Sequence, residues 1–134
     1  MTSDVAIIDS GGANIASLRF ALQRLGASST LTVDPDELRA APRVILPGVG
    51  AAADAMQRLE SLRLVEVIRD LRQPVLGICL GMQLLFEASD EGDTRCLGLL
   101  PARVQRFPDR DGFPVPHMGW NRLDFEADAA LMSG

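Results

Sequence analysis

The sequence predicts a doubly wound, open α/β sheet. Three short apolar runs, residues 5–8, 44–46 and 75–78, carry no charge and have the composition of buried parallel strands. Each run is followed by a glycine-containing turn and then by a stretch in which apolar residues recur at helical spacing. This alternation of strand, turn and helix is typical of a parallel sheet with helices on both faces.

Length and composition limit both architecture and function. The 134 residues, of which 47% are hydrophobic, predict one domain over residues 1–134 with a core of its own. No apolar run approaches the ~18 residues of a membrane span. The formal charge of −5 disfavours a nucleic-acid partner, because such a partner requires a basic face. No secretory signal is visible at the start, so we expect a cytoplasmic protein that binds neither nucleic acid nor membrane.

The reactive residues are few. All 13 basic residues are arginine and tyrosine is absent, which excludes lysine and tyrosine chemistry. One histidine, His117, and two cysteines, Cys79 and Cys96, make a metal site improbable. We expect both thiols to be free, as is usual inside the cell.

The first predicted unit consists of residues 5–8, a turn and an amphipathic helix. Four apolar residues, spaced by three, four and three, share one helical face: Ile15, Leu18, Leu22 and Leu25. Gly26 is the expected end of this helix. In the turn, Gly11 and Gly12 indicate a tight bend rather than a phosphate site, because the Gly-x-Gly-x-x-Gly pattern is absent.

The middle of the chain supplies two strands and two helical stretches. Leu31 and Val33 belong to a strand, after which Asp34 can cap a helix that has Pro35 at its first position. The strand at residues 44–46 should end at Pro47, which has no N–H to donate to a sheet.

The predicted helix at residues 51–70 covers the core and is broken near Ser61. Its inward residues should be Met56, Leu59, Val65 and Ile68. Beyond the Cys79 region, residues 89–93 form a polar loop, and residues 97–107 predict one or two half-exposed strands broken at Pro101.

Cys79 lies where the third apolar run meets a helical pattern, which places it on a turn. The unpaired N–H groups and dipole of the following helix favour the thiolate, the nucleophilic form. Gly77 and Gly81 allow a sharp turn, as in the Gly-x-Ser-x-Gly elbow. There the N–H of the residue after the nucleophile, here Leu80, stabilises an oxyanion. The ordinary alternative is a buried cysteine that only packs.

A second loop should lie beside this turn. Gly48 and Gly50 allow left-handed backbone angles, which leave the N–H groups around Gly48 and Val49 free to bind an anion. An ordinary turn before the next helix is the alternative. In a parallel sheet both turns lie at the carboxyl ends of strands, on the edge where ligands bind in open α/β folds.

The segment Gly77-Ile-Cys-Leu-Gly-Met-Gln83 resembles the nucleophile motif of the class I, triad-type glutamine amidotransferases. In that family the cysteine attacks the side-chain amide of glutamine, and the glutamine four residues later helps to hold the substrate. The resemblance implies these roles for Cys79 and Gln83, with Gly48 and Gly50 also at the substrate. It further implies the flavodoxin-like class I amidotransferase fold and no cofactor.

Other segments resemble one branch of this family, the glutaminase subunits of imidazole glycerol phosphate synthases. Residues 46–50, Leu-Pro-Gly-Val-Gly, are similar to the oxyanion strand of that branch. The resemblance implies that the N–H groups of Val49 and Leu80 form the oxyanion hole. It also implies that a peptide flip in this loop, controlled by the synthase partner, completes the hole.

Two segments carry the implied partner contacts. Residues 9–14 resemble the Asp-Tyr-Gly-x-Gly-Asn start of the same branch, with departures at Ser10 and Ala13. Residues 116–121, Pro-His-Met-Gly-Trp-Asn, are similar to its signature at the cyclase interface. The contacts implied for the cyclase subunit are Asn14, Met118, Gly119, Trp120 and Asn121.

The resemblance implies hydrolysis of glutamine to glutamate and ammonia through a cysteine thioester. The ammonia would pass to the cyclase subunit of a heterodimeric lyase complex in histidine biosynthesis. Family members also carry a His-x-Glu pair near the C-terminus, which supplies a base and its orienting carboxylate. These 134 residues contain no such pair. We therefore expect the N-terminal two-thirds of a member, without the C-terminal elements of the fold and with little turnover alone.

Two alternatives remain open. The first is a non-catalytic module that docks on the cyclase through the same contacts. The second is the glutaminase of another triad amidotransferase, because Cys-Leu-Gly-x-Gln recurs in other branches. The motifs at residues 46–50 and 116–121, taken together, favour the synthase.

Overall fold

The computed structural model describes residues 3–124, and its main body is a four-stranded parallel sheet. Its strands are β1 (Val5–Ile8), β2 (Ser29–Thr32), β3 (Val44–Gly48) and β4 (Val75–Cys79), in the spatial order β2-β1-β3-β4. Five helices accompany these strands: α1 (Ile15–Arg24), α2 (Pro35–Ala40), α3 (Ala52–Ser61), α4 (Val65–Asp70) and α5 (Leu80–Leu84). The strand order reverses at β1, and ligands of such sheets bind where the order reverses.

Helices pack on both faces of the sheet, which confirms the doubly wound prediction. On one face, α1 packs on the side chains of Val5, Ile7 and Ile45 through three of its apolar residues: Ile15, Leu18 and Leu22. On the other face, α2 to α5 contribute to a larger core with Ala6, Ile8, Val44 and Leu46. Leu25 was expected on the inner face of α1 but lies past its end and is 80% exposed.

The predicted helix limits agree well with the structure. The Asp34 side chain accepts hydrogen bonds from the N–H groups of Asp36 and Glu37, and Pro35 is the first residue of α2. Gly26 follows α1 with a φ of 73°, the left-handed conformation that glycine adopts without strain. The long helix predicted over residues 51–70 is divided after Ser61, where Arg63 has a φ of 57°.

The predicted ends of two strands are wrong. Val33 lies outside β2, which ends at Thr32. The strand predicted to end at Pro47 continues through it, because the register pairs Pro47 with Ile78 and Gly48 with Cys79. The missing N–H of Pro47 removes one donor, but the neighbouring residues keep the strand paired.

A second, three-stranded sheet follows α5, in the order β6-β5-β7. Its strands are β5 (Phe86–Ser89), β6 (Thr94–Arg95) and β7 (Leu100–Val104). β5 was not predicted from the sequence. The predicted break at Pro101 is wrong, because Pro101 lies within β7 at a register shift, where a proline can be tolerated in a strand.

One face of β4 is open in the described part of the chain. Leu76 is 41% exposed and Ile78 is 37% exposed, whereas the prediction buried this run completely. Their register partners are Ile45 and Pro47, so both belong to the strand face opposite Val75 and Gly77. Within residues 3–124, α1 covers Ile45 but leaves these two side chains accessible. No helix there is long and apolar enough to cross a membrane.

Candidate active site

Cys79 occupies a strained turn between β4 and α5. It is the last residue of the strand and the N-cap of the helix, with φ 55° and ψ −120°. Residues with a side chain rarely adopt a positive φ, and such strain is concentrated at functional sites. Its thiol is free and exposed, whereas Cys96 is free and buried. The predicted turn is therefore present, and Cys79 is not a buried packing residue.

Three glycines let the backbones of this turn approach closely. A β-carbon on Gly77 would lie 2.5 Å from the Met82 Cα, and one on Gly48 would lie 2.7 Å from the Gly81 nitrogen. A β-carbon on Gly81 would overlap the carbonyl oxygen of Leu46. The start of α5 thus packs directly on the backbones of β3 and β4. Any larger residue at these positions would push Cys79 away from β3.

The glycine loop, residues 48–51, lies beside Cys79. The sheet register places Gly48 next to Cys79, and a β-carbon on Gly48 would be 3.1 Å from the Leu80 Cβ. Val49 is 49% exposed, and Gly50 has a φ of 89°. The structure therefore brings the predicted residues of the nucleophile turn and of the glycine loop to one edge of the sheet. Gln83 lies one turn further along α5 and is half-buried.

Two side chains from distant loops hold the ends of the glycine loop. The Ser10 hydroxyl donates a hydrogen bond of 2.6 Å to the carbonyl of Pro47, just before the loop. The Ala52 N–H, just after it, donates to the Glu91 carboxylate at 2.9 Å. A carboxylate at the start of α3 is also favoured by the helix dipole. Neither role was predicted, because partners 37 and 39 residues away carry no local signal.

The turn that carries Glu91 is itself tied to β7. Arg103 donates to Asp90 at 2.5 Å and to Asp93 at 2.6 Å. These hydrogen bonds raise the pKa of Arg103 above its usual value. Because both ion pairs are exposed, each contributes little to stability, but together they hold the turn in one place.

The loop after β1, residues 9–14, adjoins the glycine loop. A β-carbon on Gly12 would lie 3.3 Å from the Val49 side chain. Asp9 pairs with Arg58 at 3.5 Å, which connects this loop to α3. Asn14 is exposed, and its side chain accepts a hydrogen bond from the Ser17 N–H as the N-cap of α1. The side-chain carbonyl oxygen of Asn14 is therefore used by the cap, and the residue remains exposed to solvent.

The other predicted partner contacts lie in an exposed segment. Met118 is 84% exposed and Trp120 is fully exposed at 102%. The Asn121 amide donates to His117 Nε2 at 2.7 Å. An open cavity of about 600 Å³ lies along this segment, lined by Phe107, Phe113, His117, Met118 and their neighbours. Cys79 does not line this cavity.

Among the described residues, no cluster of histidine, cysteine and carboxylate side chains could hold a metal ion. The second thiol, Cys96, lies outside the turn, and burial raises its pKa. The groups that the turn and the glycine loop present at this edge are the exposed Cys79 thiol, the backbone N–H groups beside it and the half-buried Gln83.

Comparison with known proteins identifies the family. The family model of the class-I glutamine amidotransferases matches residues 6–122. The chain belongs to the class-I glutamine amidotransferases. Among solved structures, this amidotransferase chain is similar to a glutamine amidotransferase, with a TM-score of 0.65 and 21% identity. That match covers 77% of this chain and 56% of the other, and it supports the shared fold.

Curated relatives of this amidotransferase chain share one name, imidazole glycerol phosphate synthase subunit HisH. The protein from Xanthomonas axonopodis pv. citri is 56% identical over 132 residues, which are 98% of this chain and 66% of that protein. The protein from Idiomarina loihiensis is 56% identical over 129 residues, 96% of this chain and 65% of that protein. The chain thus spans about two-thirds of the length of these relatives.

Proposed function

We propose that this chain is the Cys79-bearing part of the glutaminase subunit of an imidazole glycerol phosphate synthase. It hydrolyses glutamine to glutamate and ammonia, and the ammonia passes to a cyclase subunit in histidine biosynthesis. Such a complex is a cytoplasmic heterodimer with lyase activity. The observation that carries the proposal is the strained, exposed Cys79 next to the glycine loop, in a chain 56% identical to subunits of that name.

The proposed reaction uses one sulfur and two backbone donors. The Cys79 thiolate attacks the side-chain amide carbon of glutamine, and the carbonyl oxygen becomes an oxyanion. The N–H groups of Val49 and Leu80 stabilise this oxyanion, an effect whose loss at one donor typically costs about 10²–10³ in rate. The carbonyl then re-forms as the C–N bond breaks, and the leaving NH2 group takes up the proton that the thiol gave up, so that ammonia departs and a thioester remains on Cys79. Water then cleaves the thioester to glutamate.

The residues proposed to position the substrate lie at the same edge of the sheet as Cys79. Gln83 follows Cys79 by four residues, lies within α5 one turn beyond the cysteine and is half-buried. Gly50 has open space where a side chain would lie, so the loop leaves room for the substrate there. Gly48 would contact the substrate through its backbone, because the space of its missing side chain is occupied by the start of α5. The predicted roles of these three residues are part of this proposal.

The proposal assigns no catalytic base among the described residues. His117 is the single histidine of the sequence, and its Nε2 accepts the hydrogen bond from Asn121. The coding sequence downstream of codon 134 is the simplest place to look for a His-x-Glu pair. If that sequence encodes none, the catalytic proposal fails and a docking module is the better interpretation.

The partner surface is proposed to include Asn14, Met118, Gly119, Trp120 and Asn121. Trp120 is the one tryptophan of the sequence and is fully exposed, so its fluorescence reports directly on this surface. We expect its emission to shift to shorter wavelength when purified cyclase subunit is added, because contact with protein removes water from the ring. An unchanged spectrum at saturating cyclase would place the interface elsewhere.

The deciding experiment compares Cys79→Ala with Cys96→Ala in a protein that contains this chain and a His-x-Glu pair, assembled with the cyclase. Cys79→Ala should abolish glutaminase activity and keep the Trp120 shift, because only the nucleophile is lost. Cys96→Ala removes the other thiol and should retain activity per folded molecule. Glutamine hydrolysis that survives in Cys79→Ala would refute the assignment.

A further inference from the structure

We infer that Ser10 is a positioning residue for the glycine loop. Its hydroxyl fixes the carbonyl of Pro47 and thereby orients the N–H groups that follow. The inference deepens the proposed glutaminase function and rests on it. Ser10 is one of the two positions at which residues 9–14 depart from the motif of the related subunits, so the resemblance does not supply this role.

The contact is buried, short and specific. Ser10 is 5% exposed, and its Oγ lies 2.6 Å from the Pro47 carbonyl oxygen. Pro47 has no N–H, so the carbonyl is its single backbone hydrogen-bonding group. Both residues are buried, and water cannot easily replace the hydroxyl as a donor. Loss of the hydroxyl would leave the carbonyl without its donor, so that only the pairing of β3 with β4 would hold this peptide.

Planarity of the peptide bond carries this constraint into the loop. The Pro47 carbonyl and the Gly48 N–H belong to one rigid plane, so a donor that fixes the first also fixes the second. The next peptide carries the Val49 N–H, a proposed oxyanion donor. Gly48 and Gly50 give the loop little stiffness of its own, so its direction depends on what holds its ends.

The two ends of the loop are held in different ways. Ser10 holds the peptide before Gly48, and Glu91 accepts from the Ala52 N–H after the loop. The backbone between these anchors is the part that must meet the developing oxyanion. An anchor at Pro47 lies closer in the chain to Val49 than the anchor at Ala52 does. Ser10 should therefore have the stronger influence on the Val49 donor.

The test separates the hydroxyl from the volume of the side chain. Ser10→Thr keeps a hydroxyl. Ser10→Val has nearly the same shape as the threonine variant but no hydroxyl, and Ser10→Ala removes the hydroxyl without adding volume. Ser61→Ala is the matched control, because the Ser61 hydroxyl also donates to a backbone carbonyl, that of Arg58 at 2.7 Å, but at the far end of α3. Each variant is made in the protein assembled with its cyclase, and kcat and KM for glutamine are measured.

We expect Ser10→Ala and Ser10→Val to lower kcat by about 10-fold, less than removal of an oxyanion donor, with KM changed by less than about 2-fold. Oxyanion contacts are made in the transition state, so the loss should appear in kcat. Ser10→Thr should stay within about 3-fold of the parent, and Ser61→Ala should match it. The rate of Cys79 alkylation should be the same in all variants, because the thiol itself is not altered.

Equal kcat values for Ser10→Thr and Ser10→Val would overturn the inference, because the hydroxyl would then have no role. A kcat loss that only parallels a loss of folded protein in thermal melting would also overturn it. If Ser10→Ala does not fold, the threonine and valine pair still decides. Failure of the proposed function is seen separately, as glutaminase activity that persists in Cys79→Ala.

Discussion

At the scale of single residues, Cys79 is unusual because its backbone conformation is costly. A φ of 55° with ψ of −120° is rare for a residue with a side chain, and the close contacts of its flanking glycines maintain it. The result is an exposed thiol at the carboxyl edge of a parallel sheet. The other thiol, Cys96, is not available in this way, because it is 1% exposed and packs in the core.

The burial of Cys96 predicts how the free energy of unfolding changes at alkaline pH. Burial raises the pKa of Cys96 above its ordinary value of 9.0, so the unfolded chain loses this proton at lower pH than the folded chain. The contribution to stability is complete below the unfolded pKa and is lost as the pH rises through the folded pKa. Urea unfolding of this chain should show a stability that falls above pH 9.

Cys96→Ala provides the test of that prediction. With no lysine or tyrosine in the sequence, few groups other than Cys96 titrate in the alkaline range. The fall in stability should be weaker in Cys96→Ala than in the parent. The same pH dependence in parent and Cys96→Ala would contradict the buried position of this thiol.

At the scale of elements, the packing of α5 on β3 and β4 fixes the site. The helix has five residues, so intrinsic helix propensity contributes little to it. Its position is determined by the glycines that let it lie directly on two strand backbones. The sequence indicated a turn and a helix there, but the closeness of the packing became visible only in three dimensions.

Gly81→Ala tests this packing. The new methyl group would overlap the carbonyl of Leu46 and force α5 away from β3, so we expect a loss of about 3 kcal/mol in the free energy of unfolding. Gly26→Ala is the control, because Gly26 has a φ of 73° and open space around it. There we expect about 1–2 kcal/mol from backbone strain alone.

The measurement is urea denaturation of both variants. A Gly81→Ala variant no less stable than Gly26→Ala would show that α5 is not tightly packed on the sheet. The comparison matters for function because any displacement of α5 also moves Cys79 and Leu80 relative to the glycine loop.

At the scale of the whole molecule, the open face of β4 is the feature that we expect to cause self-association. Leu76 and Ile78 present apolar surface on β4, which is an edge strand of the described sheet. Exposed apolar surface and a free strand edge both favour association. We therefore expect the isolated 134-residue chain to self-associate at high concentration and to lose a sharp, reversible thermal transition there. The urea measurements described above are made at low concentration, where the chain stays monomeric.

Leu76→Gln tests whether this face causes the association. It should reduce particle growth in dynamic light scattering, and it should cost no more than about 1 kcal/mol of stability because Leu76 is already 41% exposed. Leu25→Gln is the control, since Leu25 is 80% exposed at the end of α1. Equal effects of the two substitutions would assign the association to general hydrophobicity rather than to β4.

Local sequence patterns predicted the helix caps, the break near Ser61 and the turn at Cys79, because short-range chemistry determines each of them. A parallel sheet could be expected from alternating strands and helices, but its strand order was not predicted. The second sheet was missed at β5, since a four-residue strand with two polar members, directly after the leucines that end α5, has a weak pattern. Ser10 and Glu91 were missed for a different reason: each acts on a residue nearly forty positions away.

The central claim is that the Cys79 sulfur accepts the acyl group of glutamine. Its most direct test is acid quenching of the cyclase-assembled protein during turnover with radiolabelled glutamine, followed by peptide mapping. We predict a label on the peptide that contains Cys79, released by hydroxylamine as expected for a thioester and absent in Cys79→Ala. Label on Cys96 alone, or steady hydrolysis of glutamine with no covalent label at Cys79, would contradict the account.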